Sequence, residues 1–195
     1  MTALLTLEAV DAGKLSLDQP ITASAVVNDQ DPEGSSAGIE EGEVLTVEQL
    51  LYCLLLVSAN EAADILAETV SGSREAFVEL MNQKAEKLGL ENTHFCNTTG
   101  LHADDHYSTA KDIAELLRYA LKNSTFREII ESPYHSTPGT NVHPDGITFY
   151  STMFKNLSDA TVIDGKIMGG KTGFTSEAGC CLASFAEIDL SLIHI

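Results

Sequence analysis

Gly169-Gly-Lys-Thr-Gly-Phe-Thr-Ser-Glu-Ala-Gly-Cys-Cys-Leu-Ala-Ser-Phe-Ala186 is the stretch on which the fold turns. Its second half, Cys180 to Ala186, is a short apolar run bounded by turn residues, which reads as a buried strand. Gly173 and Gly179 bracket the turn that precedes it. On a strand beside a cleft, Lys171 would present an ammonium, Thr172 a hydroxyl able to hold a carboxylate, and Gly173 room for close backbone approach. A peptide could lie alongside by main-chain pairing. Gly165 to Thr172 also satisfies the phosphate-binding pattern Gly-x-x-x-x-Gly-Lys-Thr. That pattern works only where a helix starts directly after it and offers its N-terminal N–H groups to phosphate. Here a turn follows, and too little chain remains for the metal-binding Asp and parallel strands of a P-loop NTPase, so that alternative is set aside.

Upstream, Ser58-Ala59-Asn60 follows an apolar run from Val47 to Val57, opened by the capping-box pattern of Thr46 with Gln49. Glu61 to Val70 reads as a second helix with Ala62, Ala63, Ile65, Leu66 and Val70 on its buried side. The triplet thus marks a junction of two core helices, where a hydroxyl and an amide can be held rigidly at a cleft edge. The plainer reading is that Ser58 and Asn60 cap the second helix. Ser108-Thr109-Ala110-Lys111 is the only literal Ser-x-x-Lys, but it follows Ser58 in order, and Thr109 with Asp112 reads as a helix start.

Ser-x-Asn followed by Lys-Thr-Gly forms two of the three signatures of penicillin-interacting serine hydrolases, the first being Ser-x-x-Lys. The chain resembles the serine-type D-alanyl-D-alanine carboxypeptidases, the low-molecular-mass penicillin-binding proteins. The resemblance runs through residues 1–10, Gly34-Ser-Ser-Ala-Gly38, Leu51 to Ala67, Thr93 to Asn97 with Gly100-Leu101, His106 to Ala110 and Gly170 to Leu182, all in order. It implies an α/β (α+β) fold of the β-lactamase/transpeptidase type, an antiparallel sheet flanked by helices and incomplete at both ends.

It also implies roles. The nucleophile and its lysine are expected upstream of Met1, so the chain as written is expected to be inactive. Ser58, Asn60 and Lys171 are the expected catalytic residues, Ser58 relaying a proton to the leaving amine. Lys171, Thr172, Gly173 and Phe174 are expected to bind substrate, Thr172 through the terminal carboxylate and Phe174 through an oxyanion-directed N–H. The implied substrate is a peptidoglycan stem peptide ending in D-Ala-D-Ala, with β-lactams as inhibitors and no cofactor or metal. The implied location is bacterial and extracytoplasmic. Alternatives are a nucleophile-less peptidoglycan-binding relative and a β-lactamase; against the latter, Ala59 stands where class A β-lactamases usually carry Asp.

Composition agrees with a globular domain. With 44% hydrophobic residues among 195, a sizeable core needs no disulfides. The net charge of −18 leaves too few cations for a nucleic-acid or anionic-membrane surface. The acidic stretch from Asp29 to Glu48 reads as a solvated loop. The four cysteines, Cys53, Cys96, Cys180 and Cys181, read as buried free thiols. His102, Asp104, Asp105 and His106 read as turn residues before a helix, not metal ligands. Further helices are expected at Met1–Ala12, Arg74–Leu88, Ala110–Leu121 and near Phe126–Ile130, with turns and short strands from Ser132 to Asp164. The domain reading is a partial catalytic domain over 1–189. Residues 190–195 match a translated sequencing-adapter frame, which would remove the closing strand after Glu187 and leave any membrane association to a missing C-terminal segment.

Overall fold

The computed structural model describes residues 1–32, 34–157, 159–188 and 191–194. The boundary at 189 and the adapter reading at Leu190 and Ile195 lie outside the described residues.

Helix α1 (Thr2–Asp11) leads to β1 (Pro20–Thr22), a short 3-10 turn (Ala25–Asn28) and β2 (Val44–Thr46), which pairs antiparallel with β1. Helix α2 (Val47–Val57) starts on the expected capping box: Thr46 accepts from Gln49 N–H while the Gln49 side chain accepts from Thr46 N–H. Helix α3 (Asn60–Ser71) follows after two residues. Helix α4 (Arg74–Leu88) is capped by the Ser73 hydroxyl and ends on Gly89 at φ +71°, a left-handed conformation that suits glycine. Helix α5 (Ala110–Ala120) is capped by Thr109, whose hydroxyl accepts from Asp112 N–H. Helix α6 (Ser124–Glu131) is capped by Asn123.

Between Ser132 and Asp164 a hairpin forms from β3 (Tyr134–Ser136) and β4 (Thr148–Tyr150), followed by helix α7 (Thr152–Asn156) and β5 (Thr161–Val162). Helix α7 was not expected, since five residues give too little periodicity to read. The principal sheet is antiparallel, in the order β5, β6 (Gly165–Thr175), β7 (Gly179–Ile188), β8 (Ser191–His194). Strand β8 pairs with β7 in the register Phe185 with His194. An open strand edge offers backbone N–H and C=O groups to any extended segment, whatever its side chains.

A single core joins the helices to the sheet. Leu50, Leu51, Leu56, Leu66, Phe77, Ile129, Ile130 and Phe185 are all almost wholly buried within it. Two glycines allow β6 to lie this close to the helices. A Cβ at Gly169 would come within 2.5 Å of Ile130 O, and one at Gly170 within 2.6 Å of Ala183 O and 2.7 Å of Met153 Sδ. The glycines of the phosphate-binding pattern therefore serve strand packing: Gly165 to Thr172 is extended strand, and a hairpin follows it.

Three other expectations are corrected. Strand β7 is buried only from Ser184 to Ala186; Cys180, Cys181 and Leu182 are exposed, because the outer half of the β6–β7 hairpin projects beyond the helices. Cys53 alone of the four thiols is fully buried. The acidic stretch is mostly exposed, but Glu43 is wholly buried, accepting from Thr140 Oγ1 at 2.6 Å and lying 2.9 Å from His143 Nδ1.

Candidate active site

Helix α2 ends because Ser58 adopts a left-handed conformation, φ 64° and ψ 30°. For a residue with a Cβ this costs on the order of 1–3 kcal/mol and requires compensation from its surroundings. Neither Ser58 nor Asn60 caps α3. The N-cap position is Ala59, with no side-chain cap, and Asn60 is already helical. The Ser58 hydroxyl instead accepts a 2.7 Å hydrogen bond from Lys171 Nζ, across 113 residues of chain.

Lys171 reaches Ser58 from β6 and also donates to the Thr172 carbonyl at 2.6 Å. Among the described residues no carboxylate forms an ion pair with it. Burial pushes its ammonium down from an ordinary 10.5 to about 8. A buried ammonium without a carboxylate partner is poised to receive an anion. Ser58 and Lys171 line one end of a cavity of about 220 Å³, whose other walls include Asn97, Thr98 and Leu117. Thr98 is held by its hydroxyl donating to the buried Asp64, which Arg74 approaches at 3.4 Å.

Asn60 does not line that cavity. Its backbone N–H donates to Ser35 O at 2.9 Å, and its amide lies so close to Gly34 that a Cβ there would come within 2.2 Å of Nδ2. Among the described residues, Asn60 Nδ2 and Glu61 Oε2 are the buried side-chain atoms without a hydrogen-bond partner. The other oxygen, Glu61 Oε1, gathers the loop that carries Gly34-Ser-Ser-Ala-Gly38, accepting from the Ser36 hydroxyl and the N–H groups of Ala37 and Gly38. That clip fixes the loop against the first turn of α3. Nothing in the pattern of the sequence marked Glu61 or Asp64 as more than helix residues.

Past Ile167, β6 has β7 on one side and no strand on the other among the described residues. Thr172 is half-buried and its hydroxyl lies 2.6 Å from that of Thr152. Gly173 is open, the nearest atom to a Cβ being Cys181 Cβ at 3.7 Å. Phe174 stands opposite Cys180 in the register, with its ring exposed. The structure therefore joins Ser58 to Lys171 directly, leaves Asn60 outside the cavity on the first residue of α3, and sets Thr172, Gly173 and Phe174 along the adjoining strand.

Neither the Ser108–Lys111 pattern nor the histidines bond to Ser58 or Lys171, although His106 lines the same cavity. The Ser108 hydroxyl pairs with Thr93 Oγ1 at 2.8 Å, and Lys111 is exposed on α5. His106 Nδ1 accepts from Cys96 N–H at 3.3 Å, and His102 lies 3.8 Å from Asp104.

The sequence profile of D-alanyl-D-alanine carboxypeptidases, peptidase family S11, matches residues 1–194. The chain belongs to this family. The D-alanyl-D-alanine carboxypeptidase DacF of Bacillus subtilis is 35% identical over 190 residues, which cover 96% of this chain and 46% of that protein. A D-alanyl-D-alanine carboxypeptidase of a Streptomyces species is 34% identical over 190 residues, 93% of this chain and 65% of its own length. The solved Streptomyces K15 DD-transpeptidase superposes with a TM-score of 0.84 at 29% identity, over 99% of this chain and 76% of the other. A Mycobacterium tuberculosis D-alanyl-D-alanine carboxypeptidase gives 0.79 at 27% identity, over 100% and 72%. The chain spans about half to two thirds of the length of the curated relatives it matches. Membership of the carboxypeptidase family agrees with the mixed helical and antiparallel fold seen here.

Proposed function

We propose that the chain carries the substrate-facing part of the active site of a serine-type D-alanyl-D-alanine carboxypeptidase, acting on peptidoglycan stem peptides outside the bacterial cytoplasmic membrane. The observation that carries this reading is the 2.7 Å hydrogen bond from Lys171 Nζ to Ser58 Oγ, made by a buried ammonium with no carboxylate partner among the described residues.

The attacking serine belongs to the Ser-x-x-Lys signature, which the family order places before Ser58. Its hydroxyl, deprotonated by the lysine of that signature, adds to the carbonyl of the terminal D-Ala-D-Ala bond. Ser58 passes a proton to the departing D-alanine amine, a role suited to a hydroxyl that both donates and accepts. Water then cleaves the acyl-serine. Lys171 holds Ser58 and supplies positive potential, Asn60 orients the lysine of that signature or the substrate amide, Thr172 meets the terminal carboxylate and Phe174 N–H faces the oxyanion. A β-lactam imitates the scissile bond and leaves a slowly hydrolysed acyl-serine.

The test is D-alanine release by a chain that carries an in-frame Ser-x-x-Lys helix ahead of α1, with the 195-residue chain as a control that fluorescent penicillin leaves unlabelled. Lys171→Ala should lower the rate about 100-fold or more, the usual effect of removing one such electrostatic group. Lys111→Ala should leave it unchanged. Near-normal release by Lys171→Ala, or penicillin labelling at Ser108, would refute the assignment.

A further inference from the structure

We propose that Thr152 is a specificity-determining positioning residue, which orients the Thr172 hydroxyl so that the pair recognises a free terminal carboxylate. This rests on the reading above that Thr172 meets that carboxylate.

Thr152 is held on a firm base. It opens α7, whose N-cap Ser151 is buried, accepts from Phe154 N–H at 3.4 Å and donates its own N–H to Pro133 O at 2.9 Å. The next residue, Met153, is buried against β6 where Gly170 lacks a side chain. The Asn156 amide closes the helix by donating to Thr152 O at 2.9 Å. The backbone of Thr152 is thus tied from both sides, and a β-branched side chain has few rotamers to choose from.

The 2.6 Å separation of Thr152 Oγ1 from Thr172 Oγ1 means that one hydroxyl donates to the other. Two hydroxyls carry two protons, so one proton remains for a third group. A carboxylate only accepts. For Thr172 to donate to it, the order must be Thr152 to Thr172 to carboxylate, with Thr152 supplying the proton that occupies a Thr172 lone pair. Donation from Thr152 polarises the Thr172 hydroxyl and strengthens its bond to an anion. Thr152 therefore acts through Thr172 on the end of the ligand that distinguishes a free acid from a blocked one.

The experiment measures binding, by NMR titration, of an N-acetylated peptide ending in D-Ala-D-Ala, as the free acid and as its C-terminal amide. The wild-type chain should favour the acid. Thr152→Val, which keeps shape but removes the hydroxyl, should weaken acid binding about 5- to 10-fold, the scale of one hydrogen bond, and change amide binding less than about twofold. Thr152→Ser should restore the preference, and the Thr152→Val/Thr172→Val pair should bind the acid no more weakly than Thr172→Val alone. A merely structural role would move acid and amide together and would not be rescued by serine. Retention of the acid preference in Thr152→Val, with its loss in Thr172→Val, overturns the role of Thr152 and leaves the proposed function standing. Failure of the wild-type chain to distinguish acid from amide overturns both.

Discussion

Replacing Lys171 by Met should make the folded chain more stable at neutral pH while abolishing the site it belongs to. The Lys171 ammonium is buried, and no carboxylate pairs with it among the described residues. Its folded-state pKa of about 8 lies below the ordinary 10.5 of the unfolded chain. Below about pH 8 both states hold the proton, and the folded state carries the full cost of burying the charge. Between about pH 8 and 10.5 the unfolded chain binds one proton more than the folded chain, so stability rises with pH across that window. At about 1.4 kcal/mol per pK unit, the interval corresponds to about 3 kcal/mol. Removing the side chain also removes donors to Ser58 Oγ and Thr172 O, so the net gain at pH 7 should be about 1 kcal/mol. Urea denaturation of both chains from pH 7 to pH 10 isolates the effect, since every other titrating group is common to them. The advantage of Lys171→Met should shrink steadily above pH 8 and reverse by about 1 kcal/mol at pH 10, where the wild-type amine is neutral and keeps its hydrogen bonds. A stability difference that stays flat across this range would refute the claim that the buried charge is the source of the cost.

Two further outcomes follow from packing. Gly170→Ala should destabilise by about 1–3 kcal/mol because its Cβ would press on Ala183 O and Met153 Sδ, whereas Gly173→Ala, with open space around it, should stay within about 0.5 kcal/mol in thermal or urea unfolding. Equal effects would mean that β6 does not sit flush on α7. Burial raises the Glu43 carboxyl, but hydrogen bonds from Thr140, His143 and Glu40 N–H outweigh it and hold the carboxyl below its usual range. The stability it contributes should therefore be lost as pH falls through that lowered value, and Glu43→Gln should flatten the acid limb of the pH–stability curve relative to wild type.

What could be read along the chain was local. The capping box at Thr46, the caps at Ser73 and Thr109, and the stop at Gly89 each depend on residues within one or two turns, and the helices begin and end where those signals stand. The β6–β7 hairpin was legible for the same reason, its apolar run and the turn at Gly179 lying within twenty residues, although β6 runs past Gly173 to Thr175. The motif residues Ser58 and Lys171 were visible as types, and their family resemblance suggested a shared site. Other features depended on which surfaces meet. Cys180 and Cys181 belong to an apolar run yet are exposed, because burial depends on whether a helix covers that half of the strand. Glu43 sits in an acidic loop yet is buried, because its partners Thr140 and His143 arrive from about a hundred residues away. Thr152 carried no signal, since α7 is too short to show a period and its hydroxyl gains meaning only beside Thr172. The sequence by itself determined the elements and the chemical groups they carry, because capping and turn formation are short-range. Only the tertiary structure decided that Ser58 and Lys171 touch, because that contact requires β6 to approach the helices as closely as Gly169 and Gly170 allow.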